Sequence, residues 1–327
     1  MAEAGSTGAG GRILTDMALE ARELARGGRA EEIPGVEVVE ESRQAGLIIH
    51  DIRIRTPEAG RMLGKPPGRY LTLDVPGFGE RDPDLKQRLT AALAARLAEF
   101  LPPDVAMPVL VVGLGNGAVT PDALGPRVIS RLLVTRHLGP VLPGEVHRRT
   151  RPVAALAPGV LGTTGVETVD IIRGVVQAVR PAMVVAVDAL AARSPDRLVA
   201  SVQLADTGIH PGSGVGNRRA GLTAAALGVP VLAVGVPTVV QAAAIASQVL
   251  RALARALGRE NRFFALLGEF TEAERKGLVD EVAGQALGEL MVTPKEIDLL
   301  IEDMAEVVAE ALNRALQPRL DPAEWML

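Results

Sequence analysis

The sequence predicts an α/β fold: a mostly parallel sheet with helices on both faces, an N-terminal antiparallel β elaboration and C-terminal helices. Three observations carry this. "MPVLVVGLG" (107–115) and "AMVVAVDAL" (182–190) are continuous apolar runs of strand length, as strands buried on both faces require. Segments with helical spacing separate such runs, and alternation of strand and helix implies a sheet covered on both faces. Between 33 and 78, "VEVVEES", "GLIIHDIRI" and "RYLTLDVP" are β-rich runs broken by Gly and Pro, the pattern of antiparallel strands.

The elements follow in order. Residues 1–12 are small and polar and are expected to be disordered. "LTDMALEARELARG" reads as an amphipathic helix with Thr15 or Asp16 as N-cap and Gly27 at its end. "PDLKQRLTAALAARLAEFL" (83–101) has helical spacing, and a helix is expected from about 121. "VETVDIIRGVVQAVRP" (166–181) is a helix, "LVASVQLAD" (198–206) a third core strand and "VPVLAVGVPT" (229–238) a fourth. "VVQAAAIASQVLRALARAL" is a further helix. In the tail, "TEAERKGLVDEVAGQAL" and "TPKEIDLLIEDMAEVVAEALNRALQP" each open with a capping box, Thr271 with Glu274 and Thr293 with Glu296. Both tail helices are expected to serve packing.

Composition narrows the chemistry. The 327 residues contain no cysteine, which removes disulfides, thiolate metal sites and cysteine nucleophiles. Thirty-one Arg and four Lys oppose 39 acids, for a formal charge of -4. That balance lacks the basic footprint of a nucleic-acid binder. Five Phe, one Tyr and one Trp offer little for base stacking. The opening residues show no basic stretch followed by an apolar run, so no secretory signal is expected there. The most apolar window, 227–250, is broken by Pro230, Gly235, Pro237 and Gln241, so no membrane span is expected.

"GLGNGAVTPDALGPRV" (113–128) starts like a dinucleotide loop, with Gly113, Gly115 and Ala118 fitting G-x-G-x-x-A. The acidic residue such a loop needs about 20 positions on is missing, and no Gly-Lys-Ser/Thr follows. The glycines instead suit a tight turn. "TPDALGP" sets Thr120 as N-cap, Pro121 at N1 and Asp122 at N2, where an acid favours the helix dipole. Plain dipole stabilisation is the bland explanation of Asp122. Asp188 changes the weighing, because "VVAVDAL" ends a buried strand with a carboxylate at the same sheet edge. With neighbouring strands, Asp122 and Asp188 face one crevice. Two carboxylates in one site separate their pKa values and can divide acid and base work on a water. The bland alternatives for Asp188 are a turn cap or an ion pair with Arg193.

"DTGIHPGSGVGNRRAGL" (206–222) is the second Gly-rich loop, whose amides can approach a substrate main chain. Amides of the 113–118 and 212–217 stretches are candidates to hold an oxyanion and a substrate strand. Arg218 and Arg219 can bind acidic groups or form surface ion pairs. His210, with Asp122 and Asp188, could complete a metal site, although no H-E-x-x-H is present.

Taken together, seven stretches resemble the germination proteases of spore-forming bacteria: "TDMALEARE", "IPGVEV", "LGKPPGRYLTLDVPG", "GLGNGAVTPDALGP", "LAPGVLGTTGVET", "VVAVDALAARS" and "TGIHPGSGVGNRR". They span most of the chain in order. The resemblance implies an α/β aspartate-type endopeptidase, similar in fold to hydrogenase maturation endopeptidases, that degrades small acid-soluble spore proteins in the forespore or spore-core cytoplasm. It implies a homotetramer made as a self-processing zymogen, with no cofactor, nucleic acid or membrane partner. By motif the catalytic pair falls on Asp122 and Asp188. Gly115, Asn116, Gly212, Ser213, Gly214, Asn217 and Arg218 are the expected substrate-binding residues. The family cuts after an acid in segments like Thr-Glu-Phe/Ile-Ala-x-Glu. "TDMALE" (15–20) therefore sets the expected processing site between Asp16 and Met17. The expected organisation is a removed propeptide (1–16) and one peptidase domain (17–327), divided into an N-terminal elaboration (17–100), a catalytic core (101–258) and a helical tail (259–327). Two alternatives remain at this point: a metallopeptidase using Asp122, Asp188 and His210, and a non-catalytic spore-protein or nucleotide binder.

Overall fold

The computed structural model describes residues 15–27, 31–44, 46–80, 82–210, 220–257, 274, 277 and 290–321. In chain order the elements are α1 (Ala18–Arg26), β1 (Val36–Gln44), β2 (Leu47–Ile54), α2 (Pro57–Leu63), β3 (Gly68–Asp74), α3 (Pro83–Ala98) and β4 (Val109–Gly113). There follow α4 (Leu124–Ile129), α5 (Gly144–Arg149), β5 (Val153–Leu156), α6 (Leu161–Thr164), α7 (Thr168–Val179), β6 (Met183–Ala192) and β7 (Ser201–Ala205). The last are α8 (Ala224–Leu227), β8 (Val231–Gln241), α9 (Ala242–Leu257), β9 (Met291–Val292) and α10 (Ile297–Leu316).

Among the described residues the strands form one nine-stranded sheet in the order β1-β2-β3-β7-β8-β6-β4-β5, with β9 pairing β8. The centre is parallel: β4 pairs β5 and β6, and β6 pairs β8. β1, β2 and β3 are antiparallel, as expected. β7 differs from expectation. It runs antiparallel to both β3 and β8 and so welds the N-terminal elaboration to the parallel core. β5 was not foreseen, because four residues leave too short a periodic signal.

Side-chain parity divides the core in two. Val109, Val111, Val185, Val187, Val202 and Leu204 face α3 and α10 through Leu89, Leu93, Ile301, Met304 and Leu312. Leu110, Val112, Val184, Ala186, Ala205 and Ala233 face the other way, against Met17, Ala18, Ile172 and Val176. Truncating a leucine in either layer to alanine costs about 2–5 kcal/mol. Asp188 and Gln203 have the parity of the second face, so both project toward α1.

The long tail helix α10 packs as expected, but its predicted capping box does not form. Glu296 is the N-cap residue without a side-chain hydrogen bond, and Thr293 Oγ1 donates to the Thr238 carbonyl at 2.9 Å. Tying β9 to β8 uses that hydroxyl instead. The other capping box, at Thr271, lies outside the described residues. Among the described residues no helix is long and apolar enough to cross a membrane.

Candidate active site

The first Gly-rich loop is a packing device around Asp122. A Cβ on Gly113 would lie 2.2 Å from the Gly125 carbonyl oxygen, so only glycine lets β4 run this close to α4. Gly115 has φ +106, and a Cβ there would lie 2.0 Å from the Asp122 carbonyl oxygen. The turn delivers the Asn116 N–H to Asp122 Oδ2 at 2.7 Å. The expected cap is corrected. Thr120–Asp122 is a separate 3-10 turn with Val119 as N-cap, and α4 begins only at Leu124. Pro126 gives the reason: within a helix begun at 121 it would owe a hydrogen bond it cannot make, whereas in the first turn of α4 it owes none. The Asn116 amide, rather than a helix start, is thus a donor that holds the Asp122 carboxylate.

Asp188 lies within β6 rather than at its end, a second correction. "LAA" after it continues the strand, which pairs β8 as far as Ala192 opposite Val240. Asp188 is 5% exposed, and its carboxyl accepts from the Ala189 N–H at 2.9 Å. Burial pushes its pKa well up, and the nearby charges of Asp122 and Asp16 push it further. β4 and β6 are neighbours, and the two aspartates are near enough to interact electrostatically.

The third carboxylate there belongs to "TDMALE". Asp16 N–H donates to the Ala191 carbonyl at 3.0 Å, and Asp16 Oδ2 accepts from the Ala191 N–H at 2.9 Å. Lys65 Nζ donates to the carbonyls of Thr15 at 3.1 Å and Asp16 at 2.9 Å. Gln203 accepts from the Ala18 N–H at 2.7 Å and donates to the Asp16 carbonyl at 3.3 Å. Met17 and Ala18 are fully buried. The expected helix cap differs here too: Met17 is the N-cap residue of α1, without a side-chain bond. Glu20 explains this. Its carboxylate takes the Thr15 hydroxyl, the amides of Arg193 (2.7 Å) and Ser194 (2.9 Å), and an ion pair with Arg197 at 3.3 Å. A cavity of about 360 Å³ opens beside Asp16, lined by Lys65, Tyr70, Gln203, His210 and Gly235 among others.

Of the other expected site residues, Gly115 and Asn116 shape the Asp122 turn. Gly212, Ser213, Gly214, Asn217 and Arg218 lie outside the described residues. His210 is exposed, its ring against Gly221, where a Cβ would meet it at 2.4 Å. Among the described residues no three His, Asp or Glu side chains form a group able to hold a metal ion. In the first Gly-rich loop the Asn116 amide is engaged by Asp122. Sequence reasoning missed Lys65, Gln203 and the 191–194 amides. Two signals were present: a lysine in a chain with only four, and a glutamine between the apolar Val202 and Leu204 of a strand.

Asp16 and Met17, tied to β6 by one main-chain and one side-chain hydrogen bond and with carboxylates near them, lie as a bound peptide would in an α/β protein. The comparisons with known proteins agree. The sequence model of the germination protease family matches residues 15–262 and 260–325. The germination protease of Caldanaerobacter subterraneus subsp. tengcongensis is 46% identical, covering 95% of this chain and 96% of that protein. Those of Clostridium tetani and Bacillus cereus are each 40% identical, covering 94% of this chain and 97% and 95% of their own. The chain belongs to the germination protease family, and is therefore a peptidase.

Proposed function

We propose that the chain is an endopeptidase that begins the degradation of small acid-soluble spore proteins in the spore core, and that it first cuts itself between Asp16 and Met17. Asp122, ionised, draws a proton from a water, and Asp188, protonated, gives one to the leaving nitrogen. The pair titrates as a unit, with Asp188 the member that keeps its proton. Burial and the charges of Asp122 and Asp16 support that division. Gly115 and Asn116 hold Asp122, and the second Gly-rich loop, with Gly212, Ser213, Gly214, Asn217 and Arg218, grips the substrate strand. The working form is a homotetramer that uses no cofactor.

The observation that carries this reading is the Asp16–Met17 segment itself, lying along β6 at Ala191 with Asp16 felt by Asp188. The test is intact-mass analysis of the full chain, alone and with a small acid-soluble spore protein, with parallel chelator and Asp188→Asn arms. The expected result is loss of residues 1–16, cleavage of the substrate after an acid, no effect of chelator, and no cleavage by the variant. Cleavage stopped by chelator would move the mechanism to a metal. Substantial cleavage by Asp188→Asn would sink the aspartate pair.

A further inference from the structure

The motif "LGKPPG" has no role in the chemistry above, yet it delivers a cation to the bond in question. Gly64, with φ 64, ends α2, and the Lys65 N–H returns to the Gly60 carbonyl at 3.0 Å. Pro66 and Pro67 then restrict the backbone, so the lysine leaves a rigid turn. Its Nζ reaches the Asp16 carbonyl oxygen at 2.9 Å, and Gln203 Nε2 reaches the same oxygen at 3.3 Å. Gln203 also takes the Ala18 N–H, and so brackets the Asp16–Met17 peptide from both sides. β6, β8 and β7 set this up, because Asp188 and Gln203 both lie in register with Gly235. The chain uses arginine for 31 of its 35 basic residues, but here a compact ammonium fills the place. Asp16 and Glu20 are the carboxylates that face it, and burial works against its charge.

We propose that Lys65 and Gln203 bind the carbonyl oxygen of the bond to be cut, at Asp16 here and at the acidic residue of a protein substrate, with the Lys65 ammonium stabilising the negative charge that develops on that oxygen. This rests on the proposed cut at Asp16–Met17. Water oxygen bonds to the Asp16 carbonyl carbon as its proton passes to Asp122. The carbonyl π pair moves onto oxygen, where the Lys65 ammonium and the Gln203 amide hold it. The pair then returns, the C–N bond breaks, and the Met17 nitrogen takes the proton of Asp188. The products are the Asp16 carboxyl and the Met17 amine. A donor preorganised at such an oxygen contributes about 10²–10³ in rate.

The test follows self-cutting of the full chain by intact mass, and steady-state cleavage of a quenched fluorescent peptide containing Thr-Asp-Met-Ala-Leu-Glu. Lys65→Met is expected to lower kcat about 10²–10³-fold and to change KM less than about fivefold. Lys65→Ala is expected to regain part of the loss in ethylammonium chloride, but none in sodium chloride at the same ionic strength. If Lys65→Met keeps kcat within about threefold of native while Asp188→Asn is inactive, the Lys65 proposal is overturned and the aspartate pair stands. The same holds if Lys65→Met raises KM with kcat unchanged. If Asp188→Asn cuts at the native rate, or the native chain cuts at another bond, the underlying reading fails first and the Lys65 proposal falls with it. Should Lys65→Met lose its melting transition, Lys65→Arg and Gln203→Met decide. Each is expected to lower kcat at least tenfold, and native kcat in both overturns the proposal.

Discussion

Asp16 and Ala191 clasp each other twice: the Asp16 N–H donates to the Ala191 carbonyl at 3.0 Å, and the Ala191 N–H donates to Asp16 Oδ2 at 2.9 Å. The first bond would accept any residue but proline at that position. The second requires a short side chain ending in an oxygen. One main-chain position thus both aligns the segment and holds its side-chain oxygen.

Asp16→Ala keeps the first bond and loses the second. A hydrogen bond to a charged group contributes about 1.5–3 kcal/mol, so self-cutting is expected to slow about 10- to 100-fold. The Tm should stay within a few degrees. Time-resolved intact mass measures the rate, and a rate equal to native would show that the acid is not read there.

Asp188 makes stability depend on pH. Its folded pKa is raised, so between the ordinary carboxyl value and the raised one the folded state keeps a proton that the unfolded chain has released. Stability therefore falls as pH rises through that window, by about 1.4 kcal/mol per pH unit for one group. Asparagine cannot titrate. The Tm of Asp188→Asn minus that of the native chain is expected to grow from pH 4 to pH 7, as scanning calorimetry would record. A constant difference would mean that burial does not hold the proton on Asp188.

Gly115→Ala drives a methyl group toward the Asp122 carbonyl at a φ that side chains rarely adopt. A loss of about 2–4 kcal/mol is expected, with peptide cleavage falling further than the folded fraction does. Chemical denaturation and kcat on the same sample separate the two. An active variant at full stability would show that the turn does not set Asp122.

Arg151 tests the scaffold far from the carboxylates. It is 2% exposed and donates to the carbonyls of Leu316, Asp104, Met107 and Pro102 at 2.8–3.1 Å. It ties the end of α10 to the loop that enters β4. Arg151→Met leaves four carbonyls, that of buried Leu316 among them, without this donor and is expected to cost about 2–3 kcal/mol. Cleavage per folded molecule should be unchanged. A Tm within 2 °C of native would count against this account.

The parallel strands were legible because burial on both faces writes itself as unbroken apolar runs, as at Val109–Gly113 and Met183–Val187. Asp122 and Asp188 were legible as carboxylates beside such runs. Their local settings were not. Pro126 displaced the helix start, and Leu190, Ala191 and Ala192 carried β6 beyond Asp188 because a neighbour, β8, was there to pair with them. The direction of β7 was likewise hidden, since an apolar run does not say which way its partners run. Lys65, Gln203 and the 191–194 amides meet only when segments up to 187 residues apart fold together, and main-chain donors have no sequence signature at all.

The burial of Met17–Glu20 has a consequence for turnover. On the proposed cut, the residues before the bond become a separate peptide and can diffuse away. Those after it stay joined to the body of the enzyme through α1, with Ala18 on Gln203 and Glu20 on the amides of Arg193 and Ser194. A tethered occupant acts at an effective concentration on the order of millimolar. One cut therefore vacates half of the groove, and a substrate arriving from solution competes with the enzyme's own new amino terminus for the other half. The affinity of α1 for its own site, as much as the chemistry, would set how fast the cleaved enzyme works.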